Sequence, residues 1–230
     1  MPDTTFNSYY KEVFDEVQLA SSSYLSWRTI QNLPADDSEL LNALNRNPSS
    51  WILIRQSLML SLIMSLGRIF DSEPDALSVD KLLRYSIDNI NLFSRDSLLE
   101  RKRVGWSDFE ELTLDVYMDN TVVPVEADFQ RLRGEVRQHK NRFDAYYRPL
   151  RNKIFAHKDI ESLGRTDDLW TATASNNIEE TLHFLNDLMY TLHGSHVNGK
   201  ELELGNYDWN TALGEVDFIS LLESLKGLES

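Results

Sequence analysis

The sequence predicts an all-α fold. Apolar residues recur at intervals close to 3.6 along several long segments, the spacing that gathers them on one face of a helix. The first such segment, residues 6–32, contains neither glycine nor proline, and the chain has no internal repeat and no low-complexity tract. With 230 residues, 41% of them hydrophobic, the chain is long enough to bury a substantial core.

Further helices are expected after residues 6–32. They lie at about 38–45, 49–71, 78–93, 125–147, 150–158, 178–193 and 216–228. Segment 49–71 is apolar on nearly every face, which is typical of a central buried helix. Pro149 lacks a backbone N–H and restricts Arg148, so a kink or a fresh helix start is expected there.

The chain is expected to form one main domain, residues 1–195. Residues 94–124 follow the helical spacing least and are predicted to form an irregular insertion in it, with one helix that begins at Ser107 or Asp108 and runs through Met118. Within the insertion, the basic run Arg101-Lys102-Arg103 is typical of a solvated loop. Residues 196–230 are expected to add a loop, with a small hairpin at Asn198-Gly199, and a C-terminal helix packed on the same domain.

The composition excludes several classes of protein. Without cysteine, the chain has no disulfide framework and no thiolate metal site. It begins polar and acidic, so no signal peptide is expected, and its longest apolar stretch, Trp51–Leu66, is interrupted by Arg55 and Gln56 and is too short for a bilayer. We therefore expect a cytoplasmic protein without membrane contacts. No histidines show zinc-ligand spacing, and no metal or other cofactor is expected.

One segment carries much of the positive charge. The whole chain has a net charge of −14 at pH 7, yet residues 131–158 contain nine Lys or Arg against Glu135 and Asp144 and are +7. A local cationic segment that includes a histidine indicates phosphate chemistry. The overall negative charge argues against sequence-blind binding along a duplex, but not against a short RNA or a small anion held at this segment.

Arg151, Asn152 and His157 are the candidate functional residues of this segment. Histidine exchanges protons near neutral pH, and the arginine guanidinium pairs with phosphoryl oxygens while keeping its charge. On one continuous helix the arginine and histidine would lie about 240° apart and roughly 9 Å along the axis, so a shared site requires two chains or a distorted helix. Structural roles stay open: His157 at a helix C-terminus, and Arg151 in a salt bridge, for example with Asp159.

Residues 150–159, Leu-Arg-Asn-Lys-Ile-Phe-Ala-His-Lys-Asp, resemble the signature of the HEPN (higher eukaryotes and prokaryotes nucleotide-binding) superfamily. That signature is an arginine, usually followed by a polar residue, with a histidine four to six residues further on. The form here is most similar to the abortive-infection U-type (AbiU-like) branch, which residues 66–71 and 78–83 also resemble. For Arg68 and Asp71, pairing near a helix end and a place along the active cleft are both open.

The resemblance implies an up-and-down, HEPN-like helical bundle that forms a homodimer with two motifs face to face. It also implies a metal-independent endoribonuclease of antiphage or toxin type, with RNA as substrate and an antitoxin or other regulatory protein as a further partner. The catalytic residues would be Arg151, Asn152 and His157, and the RNA-binding residues Arg148, Lys153 and Lys158.

Two other functions stay open at this point. One is a non-catalytic RNA- or nucleotide-binding HEPN module that uses the same basic groove, and the other is a helical dimeric scaffold. A toxin subgroup of the superfamily carries a tyrosine two residues after the histidine, which a partner nucleotidyltransferase can modify with AMP. Asp159 occupies that position here, which argues against this route of regulation.

Overall fold

The computed structural model describes residues 2–105, 111–150, 175–208 and 213–226. Within these ranges the regular elements are helices and no strand is present, which confirms the all-α prediction. The α-helices are α1 (Pro2–Asn32), α2 (Ser38–Asn45), α3 (Pro48–Ile69), α4 (Val79–Asp88), α5 (Arg95–Gly105), α6 (Glu111–Asp119), α7 (Glu126–Tyr146), α8 (Arg148–Leu150), α9 (Ser175–Asn198) and α10 (Leu213–Glu223). Short 3₁₀ turns lie at Leu33–Ala35 and Ile90–Phe93.

Local capping explains where several helices begin. The Asp37 carboxylate accepts a hydrogen bond from the backbone N–H of Leu40 at 3.0 Å and starts α2. Pro48 occupies the first turn of α3, where its missing N–H leaves no hydrogen bond unmade. The Ser78 hydroxyl accepts from the N–H of Lys81 at 3.4 Å at the start of α4. These starts follow the predicted ones closely.

Helices α1 and α9 run antiparallel through the middle of the core. Near one end of α1, the Tyr10 hydroxyl donates to the Met189 carbonyl at 3.2 Å. Near the other end, Arg28 binds Glu179 at 2.9 Å, so residue numbers rise along α1 as they fall along α9. Helices α3, α4 and α7 complete the main apolar core around this pair.

The first half of α3 is exposed, so the prediction of a helix buried on nearly every face is wrong for that half. Ile52 and Leu53 are 52% and 64% exposed, whereas Leu62 and Ile63 are fully buried. Helix α3 has 22 residues and a mean hydropathy of 1.4 over its most apolar part. By length and composition alone it could cross a membrane, contrary to the expectation that Trp51–Leu66 is too short for a bilayer. Its second half packs against α1 in the core, and this explains much of its apolar composition.

The segment 94–124 is more regular than predicted, because it contains α5 in addition to α6, and α6 corresponds to the helix expected through Met118. Arg101 lies on α5 and donates to the carbonyls of Leu92 and His196 at 2.7 and 2.8 Å, and to Asp3 of α1 at 3.2 Å. The adjacent Lys102 side chain is also largely buried and binds the Asn198 amide oxygen at 2.8 Å. The expectation of a solvated basic loop is therefore wrong: these cations fasten α5 to α1 and α9.

Helix α9 extends through Gly194 to Asn198, and no hairpin forms at Asn198-Gly199. Gly199 has φ +61° and its N–H donates to the Ser195 carbonyl at 3.0 Å, while Lys200 N–H donates to the Gly194 carbonyl at 3.2 Å. This is a left-handed glycine terminating a helix. Further on, α10 packs against α1, with Leu222 fully buried beside Ile30.

Candidate functional site

The residues predicted to carry the chemistry lie outside the described part of the chain. Arg151, Asn152, Lys153, His157 and Lys158 all fall within 151–174. Their roles therefore stay predictions. The structure describes the elements that lead to them: α7, the turn that follows it, and α8.

The chain breaks between α7 and α8, as the sequence predicts. Helix α7 ends at Tyr146, Tyr147 donates its backbone N–H to the Phe143 carbonyl at 2.8 Å, and Pro149 lies in the first turn of α8. The Tyr147 ring is buried against Phe143, with centroids 6.2 Å apart, and burial raises its pKa to about 12. A buried aromatic thus fixes the chain just before the Arg151 segment begins.

Arg148, predicted to bind RNA, is within reach of solvent. Its Nε donates to Asp144 at 2.8 Å, and its side chain is 39% exposed. Lys140 donates to the same carboxylate. Asp144 therefore holds two cations at the end of α7, one of them at the entrance to the Arg151 segment.

The basic segment is less cationic on its surface than its composition indicates. Six of its nine basic residues are described, and five of these have a carboxylate partner. The pairs are Arg131 with Glu135, Arg133 with Asp80, Lys140 with Asp144, Arg142 with Glu180, and Arg148 with Asp144. Arg137 is the exception within the described part of the segment, and it is exposed. The positive charge of the described part of the segment is therefore largely compensated by carboxylates.

Beside Arg137 a cleft of about 460 Å³ opens between α4, α7 and the loop 71–78. The buried side chains of Phe70, Val79 and Val136 form part of its apolar lining. Charged side chains surround this lining; among the described residues they are Lys81, Arg84, Arg133, Arg137 and Lys140 against Asp71, Glu73, Asp80 and Asp88. In a chain of net charge −14, this is a local excess of positive charge.

Asp80 organises one side of the cleft. Arg133 of α7 donates to it through Nε at 2.8 Å, and Arg84 of α4 binds it at 2.7 Å. Burial alone would raise the pKa of this carboxyl, but the hydrogen bond and charge of Arg133, reinforced by Arg84, lower it below its usual value. Asp80 is therefore ionised at neutral pH and joins α4 to α7.

The two upstream segments that resemble the AbiU-like branch meet at this cleft. Asp71 from the first and Ser78, Asp80 and Lys81 from the second line it. Arg68 does not, because its guanidinium makes a two-bond pair with Glu16 of α1 at 2.7 and 2.9 Å. Of the alternatives that the sequence left open, Arg68 has the structural role. Asp71 lines this cleft, and its place along the active cleft of the Arg151–His157 segment stays a prediction.

His139 on α7 is a structural residue. Its ring stacks on Phe184 with centroids 4.1 Å apart and 8° between planes, and its Nδ1 lies 3.0 Å from the Thr181 hydroxyl. Burial, with a smaller contribution from the charge of Arg142, lowers its pKa to about 4. The imidazole is therefore neutral at pH 7 and does not add to the charge of the basic segment.

Comparison with known protein families decides which proteins this chain resembles. A HEPN-type family model described as AbiU2 matches residues 3–217. The chain belongs to the AbiU2 family. No curated protein and no solved structure gives a significant match.

Membership in AbiU2 identifies the chain as an abortive-infection HEPN-type module. The match includes the cleft, the segment 151–158 and the beginning of α10, and so extends beyond residue 195, where the main domain was predicted to end. Sequence reasoning did not predict the cleft, although it selected two of the segments that line it. The signal that was available is the spacing of Arg133, Arg137 and Lys140, which places three cations on one face of α7.

Proposed function

We propose that this AbiU2 protein is a metal-independent endoribonuclease of antiphage or toxin type. The observation that carries the proposal is the AbiU2 match across residues 3–217, which includes the Arg151–His157 signature. Two features of the described structure support the proposal. Helix α7 ends just before Arg148, at the start of the segment that leads to the signature, and a cleft with a cationic rim lies beside the same helix α7. RNA is the substrate, because its 2′-hydroxyl supplies an internal nucleophile and no metal-bound water is needed.

In the proposed reaction His157 removes the proton from the 2′-oxygen, which attacks the adjacent phosphorus. The bond between phosphorus and the 5′-oxygen breaks as a second group, acting as an acid, donates a proton to that oxygen. The products are a cyclic phosphate and a free 5′-hydroxyl. Arg151 stabilises the extra negative charge on the phosphoryl oxygens, and Asn152 orients one of these two groups.

A homodimer supplies the second group, the acid. One His157 cannot act as base and acid at the same time, whereas two chains related by a two-fold axis provide two histidines. The exposed apolar side chains of α3 also favour self-association: Ile52, Leu53 and Leu60 are 52%, 64% and 38% exposed. We expect Leu53→Glu to shift the protein toward monomer in sedimentation, whereas Val116→Glu, a matched change at an exposed valine of α6, leaves the dimer intact.

The experiment that tests the proposed activity is cleavage of total RNA in EDTA by the wild type, His157→Ala and Arg151→Ala, with sedimentation of each. We expect the wild type to cleave RNA, and either variant to cleave it at least a hundredfold more slowly while the oligomeric state is unchanged. Equal cleavage by wild type and His157→Ala would remove this histidine from the mechanism and overturn the proposal.

The second candidate function is a non-catalytic RNA-binding module. Five of the six described cations of segment 131–158 pair with carboxylates, and this favours the binding module. The pairing weakens the positive potential of the segment, and a weaker potential suits reversible binding of a short RNA. In that case neither the wild type nor the His157→Ala variant cleaves, and both bind single-stranded RNA with an affinity that falls as salt rises.

A further inference from the structure

The cleft between α4 and α7 lies outside the Arg151–His157 signature, and it has the dimensions of a ligand site. Its volume of about 460 Å³ falls in the range of pockets that hold small molecules. Apolar side chains such as Phe70 and Val136 form part of the lining, and charged side chains surround them. An apolar lining with a charged rim suits a ligand that has a flat ring and an anionic group.

The charged rim includes one face of α7. Arg133, Arg137, Lys140 and Asp144 follow one another at intervals of four, three and four residues, which places them within one stripe of the helix. Asp80 neutralises Arg133, and Asp144 neutralises Lys140. Between them, Arg137 has no carboxylate within ion-pair distance in the described ranges. Its guanidinium is therefore available to an external anion.

Two tyrosines provide the flat surface. Tyr9 of α1 and Tyr85 of α4 both line the cleft and are half-buried. Their ring centroids are 5.3 Å apart with 63° between planes, an edge-to-face contact that holds the Tyr85 ring in place. A tyrosine ring held in this way is a platform on which a nucleobase stacks.

We propose that the cleft binds one nucleotide of a single-stranded RNA, with a phosphate on Arg137 and the base against Tyr85. The inference rests on the proposed function, since the same RNA continues along α7 toward Arg148 and the catalytic segment. Arg137 lies about 13 Å along the helix axis from the last residue of α7, a distance that a short stretch of RNA can cross. Along this route Lys140 and Arg148 share the single carboxylate of Asp144, and the positive charge left over favours a chain of phosphates over a free nucleotide.

Binding by Arg137 substitutions tests the proposal. A fluorescein-labelled 12-nucleotide single-stranded RNA is titrated, by fluorescence anisotropy in EDTA, with full-length protein carrying His157→Ala, which prevents cleavage under the proposed mechanism. Arg137→Gln removes the cleft cation, and Arg137→Lys keeps the charge. Arg142→Gln is the matched control, because Arg142 is another arginine of α7, with a side chain that is 38% exposed, but it pairs with Glu180 of α9. Thermal unfolding of every variant checks that each is folded.

We expect Arg137→Gln to weaken RNA binding about tenfold and to lower the magnitude of the salt slope by about 0.7, the value for one phosphate contact to a single strand. Arg137→Lys restores part of the affinity, Tyr85→Leu weakens binding without changing the salt slope, and Arg142→Gln stays within twofold. Absence of RNA binding, or equal losses in Arg137→Gln and Arg142→Gln, would overturn the proposal. The proposal would also be overturned if 5′-UMP displaced the labelled RNA at the same concentration as unlabelled RNA does, since a free nucleotide would then be the occupant.

RNA cleavage assays of the same variants, made in protein that retains His157, separate this inference from the proposed function. Arg137-dependent binding without any cleavage by the wild type supports the cleft and contradicts the nuclease. Cleavage with equal KM in the wild type and Arg137→Gln supports the nuclease and contradicts the cleft. When both hold, Arg137→Gln raises KM and leaves kcat within about twofold, whereas His157→Ala lowers kcat.

Discussion

Arg101 on α5 and Arg137 on α7 both belong to basic stretches of the sequence, but their guanidinium groups have different surroundings. The Arg101 side chain is 21% exposed and donates to two backbone carbonyls and to Asp3, and burial lowers its pKa. Arg137 is exposed at the edge of a cleft. The difference shows that a basic run identifies neither a loop nor a binding surface until the acceptors around each cation are known.

The largest expected effect is that of Arg101→Met. Methionine keeps the length of the side chain but leaves the Leu92 and His196 carbonyls and the Asp3 carboxylate without this donor. We expect a loss of about 3 kcal/mol in the free energy of unfolding, measured by urea denaturation. A loss under about 1 kcal/mol would mean that Arg101 is not a fastening residue, and the contrast with Arg137 would fail.

Two glycine substitutions give the next effect, with opposite signs in the two regions. Gly199, beside α5, has φ +61°, and an added Cβ would lie 2.7 Å from side-chain atoms of Leu98 and Thr121. We expect Gly199→Ala to cost about 2 kcal/mol. Gly134→Ala on α7 meets nothing within 4 Å and is expected to gain about 0.5–1 kcal/mol through higher helix propensity. Urea midpoints measure both, and a neutral Gly199→Ala would contradict the close packing of α5, α6 and α9.

A pH-dependent effect is expected at His196, which belongs to the Arg101 region. Burial, followed by the charge of Arg101, lowers the pKa of His196 to about 4, although its ring nitrogen lies 2.9 Å from Asp3 and that contact acts in the opposite direction. The unfolded chain binds the proton near pH 6.5 and the folded chain only near pH 4, so this contribution to stability is present above pH 6.5 and is lost as pH falls toward 4. His193 on the same helix adds a small effect in the lowering direction.

The measurement is urea unfolding of the wild type and His196→Gln at pH 7.5 and 5.0. We expect the wild type to lose on the order of 1–2 kcal/mol more than the variant between these values. Buried His139 on α7 contributes in the same direction and is retained in both proteins, so it cancels in the comparison. An equal loss in the two proteins would show that His196 does not titrate as its surroundings require.

The smallest expected effect on stability is that of Arg137→Gln. Because this guanidinium has no carboxylate partner among the described residues, we expect a change under about 0.5 kcal/mol in urea unfolding, compared with about 3 for Arg101→Met. A loss above about 1 kcal/mol would identify a structural role for Arg137 and would weaken its assignment to an external phosphate.

The helices could be predicted because their information is local. Spacing of apolar residues and capping by Asp37 and Ser78 are properties of neighbouring positions, and they fix where α2 and α4 begin. The error at Arg101 concerns a group whose partners are remote in sequence. Arg101 depends on Asp3 and on the His196 carbonyl, 98 and 95 residues away, and local composition contains no sign of them.

The candidate site divides in the same way. The Arg151–His157 signature is a local pattern and was identified from the sequence, while its geometry lies outside the described residues. The cleft is formed by α4, α7 and the loop 71–78, which meet only in the folded chain. Among the described cations of α7, Arg137 is the one without a carboxylate partner. Arg133 differs from it because Asp80, on another helix, reaches Arg133.

The antiparallel pairing of α1 with α9 has a consequence for the order in which the chain folds. Asp3 meets His196 across 193 residues, and Tyr10 meets Met189 across 179. Contacts of such sequence separation slow folding relative to helical proteins with mostly local contacts. During synthesis α1 emerges before its partner α9, and about 140 further residues are added between the end of α1 and the start of α9. The core therefore closes late in translation, after the basic helix and the Arg151–His157 segment have been made.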